Sequence, residues 1–171
     1  MKPQHFLSGA AALLALIGSA SCNGDVVGLE PPSNPATETF APSLGVDISQ
    51  MTRLDNGVYY KDIVVGTGLT LADTAVTFNA TYAAYLRDGT LVDSGTDSKL
   101  SLSSLVPGFR SGVLGMKEGG RRKLVIPSEQ GYGGHSVRSP STGKILIPRQ
   151  STLIFDVELL KVTNPTPTTT P

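Results

Sequence analysis

Val76-Thr77-Phe78-Asn79-Ala80-Thr81-Tyr82-Ala83-Ala84-Tyr85-Leu86-Arg87-Asp88-Gly89-Thr90-Leu91-Val92-Asp93 reads as a β-hairpin. Val76, Phe78, Ala80, Tyr82, Ala84 and Leu86 alternate with Thr77, Asn79, Thr81, Ala83 and Tyr85. Side chains of a strand point to opposite faces in turn, so this period of two marks a half-buried strand with Tyr82 on its core face. Asp88-Gly89 is favoured tight-turn chemistry, and the chain returns through Thr90 to Asp93.

Outward from the hairpin, most of the chain between Met51 and Val162 reads as further strands. Val58 to Val65 is one, closed by Gly66-Thr67-Gly68. Lys123 to Ile126 is another, stopped by Pro127. Leu153, Phe155, Val157 and Leu159 alternate with Ile154, Asp156, Glu158 and Leu160, giving a closing strand. One helix is expected. Ser104 is its candidate cap, Pro107 suits the first turn, and Val106, Phe109, Val113 and Met116 share a face until Gly119-Gly120. The fold class is therefore α+β, an antiparallel sheet packed on one short helix.

The flanks are different in kind. Lys2 followed by the apolar run Phe6 to Gly18 and the small residues Gly18 to Ser21 reads as a signal peptide, residues 1–21, on an exported chain. The run is too short to span a bilayer. Cys22 is the only cysteine, so no intramolecular disulfide can form. Ser19-Ala20-Ser21-Cys22 resembles a bacterial lipobox, with Ser19 where leucine is usual. That resemblance implies lipidation at Cys22 and a membrane anchor in the cell envelope, since several acyl chains hold a protein stably. Cleavage near Ala20, leaving a free thiol on a periplasmic or secreted protein, is the alternative. Residues 22–50 read as a tether: Pro31-Pro32-Ser33-Asn34-Pro35 has no apolar periodicity, whereas Phe40 to Gln50 carries Leu44, Val46 and Ile48 and is expected to dock in part. Residues 163–171 read as a disordered Pro/Thr tail.

Several chemistries are disfavoured. The formal net charge is +0 with 16% charged residues, which offers no basic surface for a nucleic acid. Beyond the signal segment only His135 could supply an imidazole, too few for a histidine-based metal site. No G-x-S-x-G elbow occurs. Lys144 is followed by Ile145, unlike a phosphate loop. No cofactor is implied.

In order and spacing, the core of the chain resembles the FK506-binding-protein family. The matching pieces are Thr81 to Ser94; Val106-Pro107-Gly108-Phe109 with Gly112-Val113; Met116-Lys117-Glu118-Gly119-Gly120; Ile126-Pro127-Ser128-Glu129 with Gly131-Tyr132-Gly133; Ile147-Pro148; and Leu153 to Leu160. The resemblance implies an isomerase domain over residues 51–162, with a five- or six-stranded antiparallel sheet curled around the helix. It implies peptidyl-prolyl cis/trans isomerisation, proline-containing polypeptides as partners, and macrolides of the rapamycin class as inhibitors. By the same resemblance Tyr82, Asp93, Tyr132 and Phe155 are the catalytic set. Val92, Leu100, Leu105, Val106, Phe109, Leu146 and Ile147 line the proline pocket. Phe109 stands where many members have Trp, and Val92 and Leu100 where aromatic side chains are common, so this pocket is less aromatic. Taken singly, Tyr82 and Phe155 read as core, Asp93 as a turn cap, and Tyr132 and His135 as loop residues. A catalytically weak chaperone or peptide-binding module on the same fold is the second reading.

Overall fold

The computed structural model describes residues 30–72 and 77–163. The signal and lipidation segment, the strand start at Val76 and all but the first residue of the Pro/Thr tail lie outside the described residues.

Strands β1 (Thr52–Arg53), β2 (Tyr59–Val64), β3 (Thr77–Leu86), β4 (Leu91–Ser101), β5 (Arg121–Ile126) and β8 (Leu153–Thr163) form one sheet in the order β1-β2-β5-β8-β3-β4. Every neighbouring pair is antiparallel. A small hairpin of β6 (Val137–Arg138) and β7 (Ile145–Ile147) stands apart, within the loop that follows Gly134. Helix α1 (Pro107–Val113) packs on the concave face. This is the antiparallel α+β architecture expected from the alternating runs, and its six strands fall within the five or six that the family resemblance implies.

The concave face holds the main core. Phe78, Ala80 and Ala84 from β3 meet Leu124 and Ile126 from β5, Leu153, Phe155, Val157 and Leu159 from β8, and Phe109 and Val113 from α1. The helix lies close because two glycines face β5. A Cβ on Gly108 would stand 2.3 Å from Ile126 Cγ2, and one on Gly112 would stand 2.8 Å from Leu124 Cδ2. Alternation along β8 breaks at Leu160, where the pairing to β3 steps from Asn79–Lys161 to Ala80–Leu159. The extra residue reverses the parity and returns Val162 to the core, as a bulge does.

The helix is shorter than its sequence suggests. Ser104 is not its cap: the Ser104 hydroxyl donates to Ser101 O (2.8 Å), and Val106 occupies the N-cap with no side-chain bond. The helix stops at Val113 rather than at Gly119-Gly120. Leu114 is extended and Gly115 adopts φ 80°. Arg122, only 7% exposed, sets this end. One of its guanidinium nitrogens donates to Gly112 O (2.8 Å) and Leu114 O (3.1 Å). Its other two nitrogens grip Asp62 in a fork at 2.7 and 3.0 Å. The guanidinium carbon lies 4.3 Å from the Tyr60 ring centroid. Last-turn carbonyls of a helix need donors, and a planar guanidinium supplies them in the right geometry.

The convex face is also covered, by the segment read as a tether. Leu44, Phe40, Ala41, Val46, Ile48 and Met51 pack over Tyr59, Val125, Ile154 and Tyr85. Ile154, expected to point outward, is therefore fully buried. Docking also begins earlier than Phe40. Pro35 is buried, and Ser33 exchanges two hydrogen bonds with Ser128. Composition hides this because the contacts are made by single side chains and backbone groups, without a repeating pattern.

Candidate active site

The candidate site lies on the concave face where α1, β3, β4 and β8 converge. Phe109 stands at its centre. Its ring makes an edge-on contact with Phe155 (centroids 4.9 Å, planes at 79°) and another with Tyr82 (6.5 Å, 76°). Such T-shaped pairs set a positive ring edge against a negative ring face and hold the rings in fixed orientations.

Two bulges in β4 build the polar side. Pairing steps from Ala80–Ser98 to Tyr82–Gly95, and again from Ala84–Asp93 to Tyr85–Leu91. Each inserts one residue into β4, which re-aims the chain locally. Asp93 consequently stands opposite Ala84 on the concave face, diagonal to Tyr82. The Tyr82 hydroxyl donates to Asp93 Oδ2 (3.0 Å), and the Ser94 N–H donates to Asp93 Oδ1 (2.9 Å). Gly95 leaves room for the ring: a Cβ there would stand 2.7 Å from Tyr82 Cε1. Desolvation raises the Tyr82 phenol above its ordinary value, and the hydrogen bond to Asp93, its negative charge and the Tyr132 phenol push the same way. Tyr82 thus stays a neutral donor to the carboxylate.

Val92, Leu100, Leu105 and Val106 are half-buried against the same core, and Ile147 is inside it. At the head of α1 the Val106 carbonyl accepts from the Arg110 N–H (3.1 Å). The Val106 N–H itself makes no hydrogen bond among the described residues. Leu146 does not join this cluster. In the short strand β7, Ile147 turns inward and its neighbour Leu146 turns outward, 41% exposed. Tyr132 is 40% exposed at the rim, carried on the loop after β5, and His135 is exposed beyond it. The arrangement offers an aromatic floor, one carboxylate, the Val106 N–H with no partner among the described residues, and an accessible phenol. It suits binding a planar or twisting apolar group and supplies no nucleophile with a partner base.

The FKBP_C family profile, described as FKBP-type peptidyl-prolyl cis-trans isomerase, matches residues 71–160. An FK506-binding protein of Neisseria meningitidis serogroup C is 46% identical over 87 residues, which are 47% of this chain and 74% of that protein. The FKBP-type peptidyl-prolyl cis-trans isomerase FkpA of Escherichia coli K12 is 36% identical over 129 residues, 73% of this chain and 43% of that one. Among solved structures, a peptidyl-prolyl cis-trans isomerase of Pseudomonas syringae superposes with a TM-score of 0.58 at 28% identity, covering 67% of this chain and 82% of the other. The crystal structure of FkpA from Escherichia coli gives 0.57 at 33% identity, over 67% and 52%. The chain belongs to the family of FKBP-type peptidyl-prolyl cis-trans isomerases.

Proposed function

We propose that this isomerase turns over X-Pro bonds of exported polypeptides by holding the twisted amide over the Phe109 floor. The observation that carries the reading is the Val106 N–H at the head of α1, without a hydrogen-bond partner among the described residues and three residues before the ring that packs against Tyr82 and Phe155. Rotation about X-Pro must break amide resonance, a barrier of about 18–20 kcal/mol. Uncatalysed it takes roughly tens to hundreds of seconds. No bond to a heavy atom forms or breaks, so catalysis consists of binding the twisted state better than either planar isomer.

Each residue then has a task. Phe109, Tyr82 and Phe155 enclose the proline ring with Val92, Leu100, Leu105 and Ile147. The planar amide is the more charge-separated form, so removal of water penalises it more than the twisted form. The Val106 N–H and the Tyr132 hydroxyl each donate to a substrate carbonyl. Asp93, fixed by Tyr82 and the Ser94 N–H, faces the rotating amide. Leu146, turned outward, takes no part in this enclosure. Macrolides of the rapamycin class would compete for the same floor. Export through residues 1–21, with lipidation at Cys22 holding the enzyme at an envelope membrane, places it among unfolded exported chains.

The test is prolyl isomerisation by the purified protein on peptides that vary the residue before proline, with Tyr132→Phe and Asp93→Ala alongside. Acceleration that falls in both variants and is blocked by rapamycin is expected. Wild-type rates retained in both variants would remove Tyr132 and Asp93 from the site. Mass spectrometry of the mature N-terminus reads the lipid directly: unmodified Cys22 would sink the anchor. A second reading, a weakly catalytic chaperone or peptide-binding module, is favoured by the aliphatic Val92 and Leu100. It requires suppression of client aggregation that survives Asp93→Ala and rapamycin.

A further inference from the structure

The loop that carries Tyr132 is fastened at one residue. The Ser128 carbonyl accepts from the Gly131 N–H (2.9 Å) and from the Gly133 N–H (2.8 Å), bracketing Tyr132 on both sides. The Gly133 carbonyl in turn accepts from the Gln150 N–H (2.7 Å). Ser128 is fully buried, and its other polar groups are held from outside the loop. Its N–H donates to Ser33 Oγ (2.6 Å), its Oγ accepts from the Ser33 N–H (2.9 Å), and its hydroxyl donates to Gln150 Oε1 (2.9 Å). Ser33 lies 95 positions earlier, in the strap ahead of the first strand. Gln150 adopts φ 55°, a left-handed conformation that a side chain other than glycine enters at a cost. A strained residue held at a functional loop is a sign that the surroundings fix it there.

We propose that Ser33, Ser128 and Gln150 are positioning residues for Tyr132, so that the N-terminal strap is a working part of the isomerase rather than a spacer. This rests on the reading above in which the Tyr132 hydroxyl grips the substrate. The physical reason is that the Ser128 N–H is buried and finds its acceptor in Ser33. Without that oxygen the residue must shift toward another partner, and both bonds that bracket Tyr132 move with it. The Tyr82–Asp93 hydrogen bond and the ring contacts of Phe109 with Tyr82 and Phe155 involve no atom of Ser128, so such a shift bears first on the loop that carries Tyr132. It changes the direction of one phenol at the rim.

The experiment uses the full chain and measures kcat and KM well below the melting temperature, with folding checked by circular dichroism. Ser33→Ala is expected to lower kcat/KM by roughly threefold to tenfold, less than the ~100-fold that a 1 Å misplacement can cost. Ser33→Thr, which keeps the hydroxyl, restores it. In a Tyr132→Phe background the Ser33→Ala effect disappears. Gln150→Gly separates positioning from folding: relief of the left-handed backbone offsets the loss of the acceptor for the buried Ser128 hydroxyl, so net stability changes little while kcat/KM falls. If Tyr132→Phe impairs the enzyme but Ser33→Ala and Gln150→Gly do not, the positioning role is overturned and the site reading stands. If Ser33→Ala costs as much in the Tyr132→Phe background as in the parent, the strap acts by another route and the proposal fails. If Tyr132→Phe itself changes nothing, the site reading fails and takes this proposal with it.

Discussion

Replacing Arg122 by methionine tests whether one side chain joins the helix to the sheet. The substitution keeps a long apolar stem and removes all the donors. Three losses follow. The fork to Asp62 (2.7 and 3.0 Å) goes, but the Asp62 side chain is 34% exposed and recovers water, so this loss is about 1 kcal/mol. The bonds to Gly112 O and Leu114 O go, and the buried Gly112 carbonyl is left without that donor, a penalty of about 1–3 kcal/mol. Stacking on Tyr60 at 4.3 Å is worth about 0.5–2 kcal/mol. Methionine returns some of this as apolar contact, so the net expectation is about 3–4 kcal/mol, at the lower end of what removing one partner of a buried ion pair costs. For a domain of this size that lowers Tm by roughly 10–15 °C. The chain has no Trp, so urea unfolding should be followed by far-ultraviolet circular dichroism and tyrosine fluorescence. Arg122→Lys keeps the charge but cannot span Asp62 and two carbonyls together, and is expected to lose about half as much. Asp62→Asn leaves the buried guanidinium its two carbonyl acceptors but no counter-charge, and should cost about 1–3 kcal/mol. If the methionine variant unfolds within about 1 kcal/mol of the parent, the guanidinium is not what holds the end of α1, and the account of why the helix stops at Val113 is wrong.

Three further outcomes are expected. The Tyr82 phenol should ionise above its ordinary value of 10.0, read as the difference in absorbance at 295 nm between the parent and Tyr82→Phe, and Asp93→Asn should bring it down. Because the folded value is the higher one, the stabilisation Tyr82 gives is complete at neutral pH and is lost only as pH rises through the folded value. A loss near neutrality would contradict the assignment. Gly112→Ala sets a Cβ 2.8 Å from Leu124 Cδ2 and should destabilise by about 1–3 kcal/mol in urea unfolding, with no effect if the helix can lift freely from β5. Leu44→Ala opens the core beneath the strap and should cost about 2–4 kcal/mol in the same assay, whereas a loosely laid tether would make it silent.

The hairpin and closing strand were legible because one face of each is buried and the other is not, so alternation survives in the sequence. Of the helix, Pro107 in the first turn was legible, while both its cap, expected at Ser104 and found at Val106, and its end were not. Nothing near Leu114 announces that Arg122 will arrive from a neighbouring strand to take its carbonyl. The convex face was the larger surprise. Val125 and Ile154 occupy outward positions, and only a distant segment explains their burial. At the site, Tyr82, Phe109, Phe155 and Ile147 follow from strand parity, helix face and the family resemblance. Leu146 does not, because the three-residue β7 admits one inward side chain at its end. The bulges that bring Asp93 under Tyr82 leave no signature in composition, and nothing in the sequence singles out Gly95, Ser128 or Gln150. Their contributions depend on which atoms meet across the fold.

The two bulges of β4 have another consequence, since β4 is an outer strand of the sheet. A flat border strand displays a row of free amides and carbonyls on which a foreign chain can lay down a further strand. Here the row is broken twice within eleven residues, Asp97 turns to φ 47° at one of the breaks, and Asp93, Asp97 and Lys99 charge its length. The opposite border, β1, is two residues long. Among the described residues the six-stranded sheet thus ends in one bent, charged strand and one very short one, both poor templates for a foreign chain, which guards this sheet against edge-to-edge aggregation.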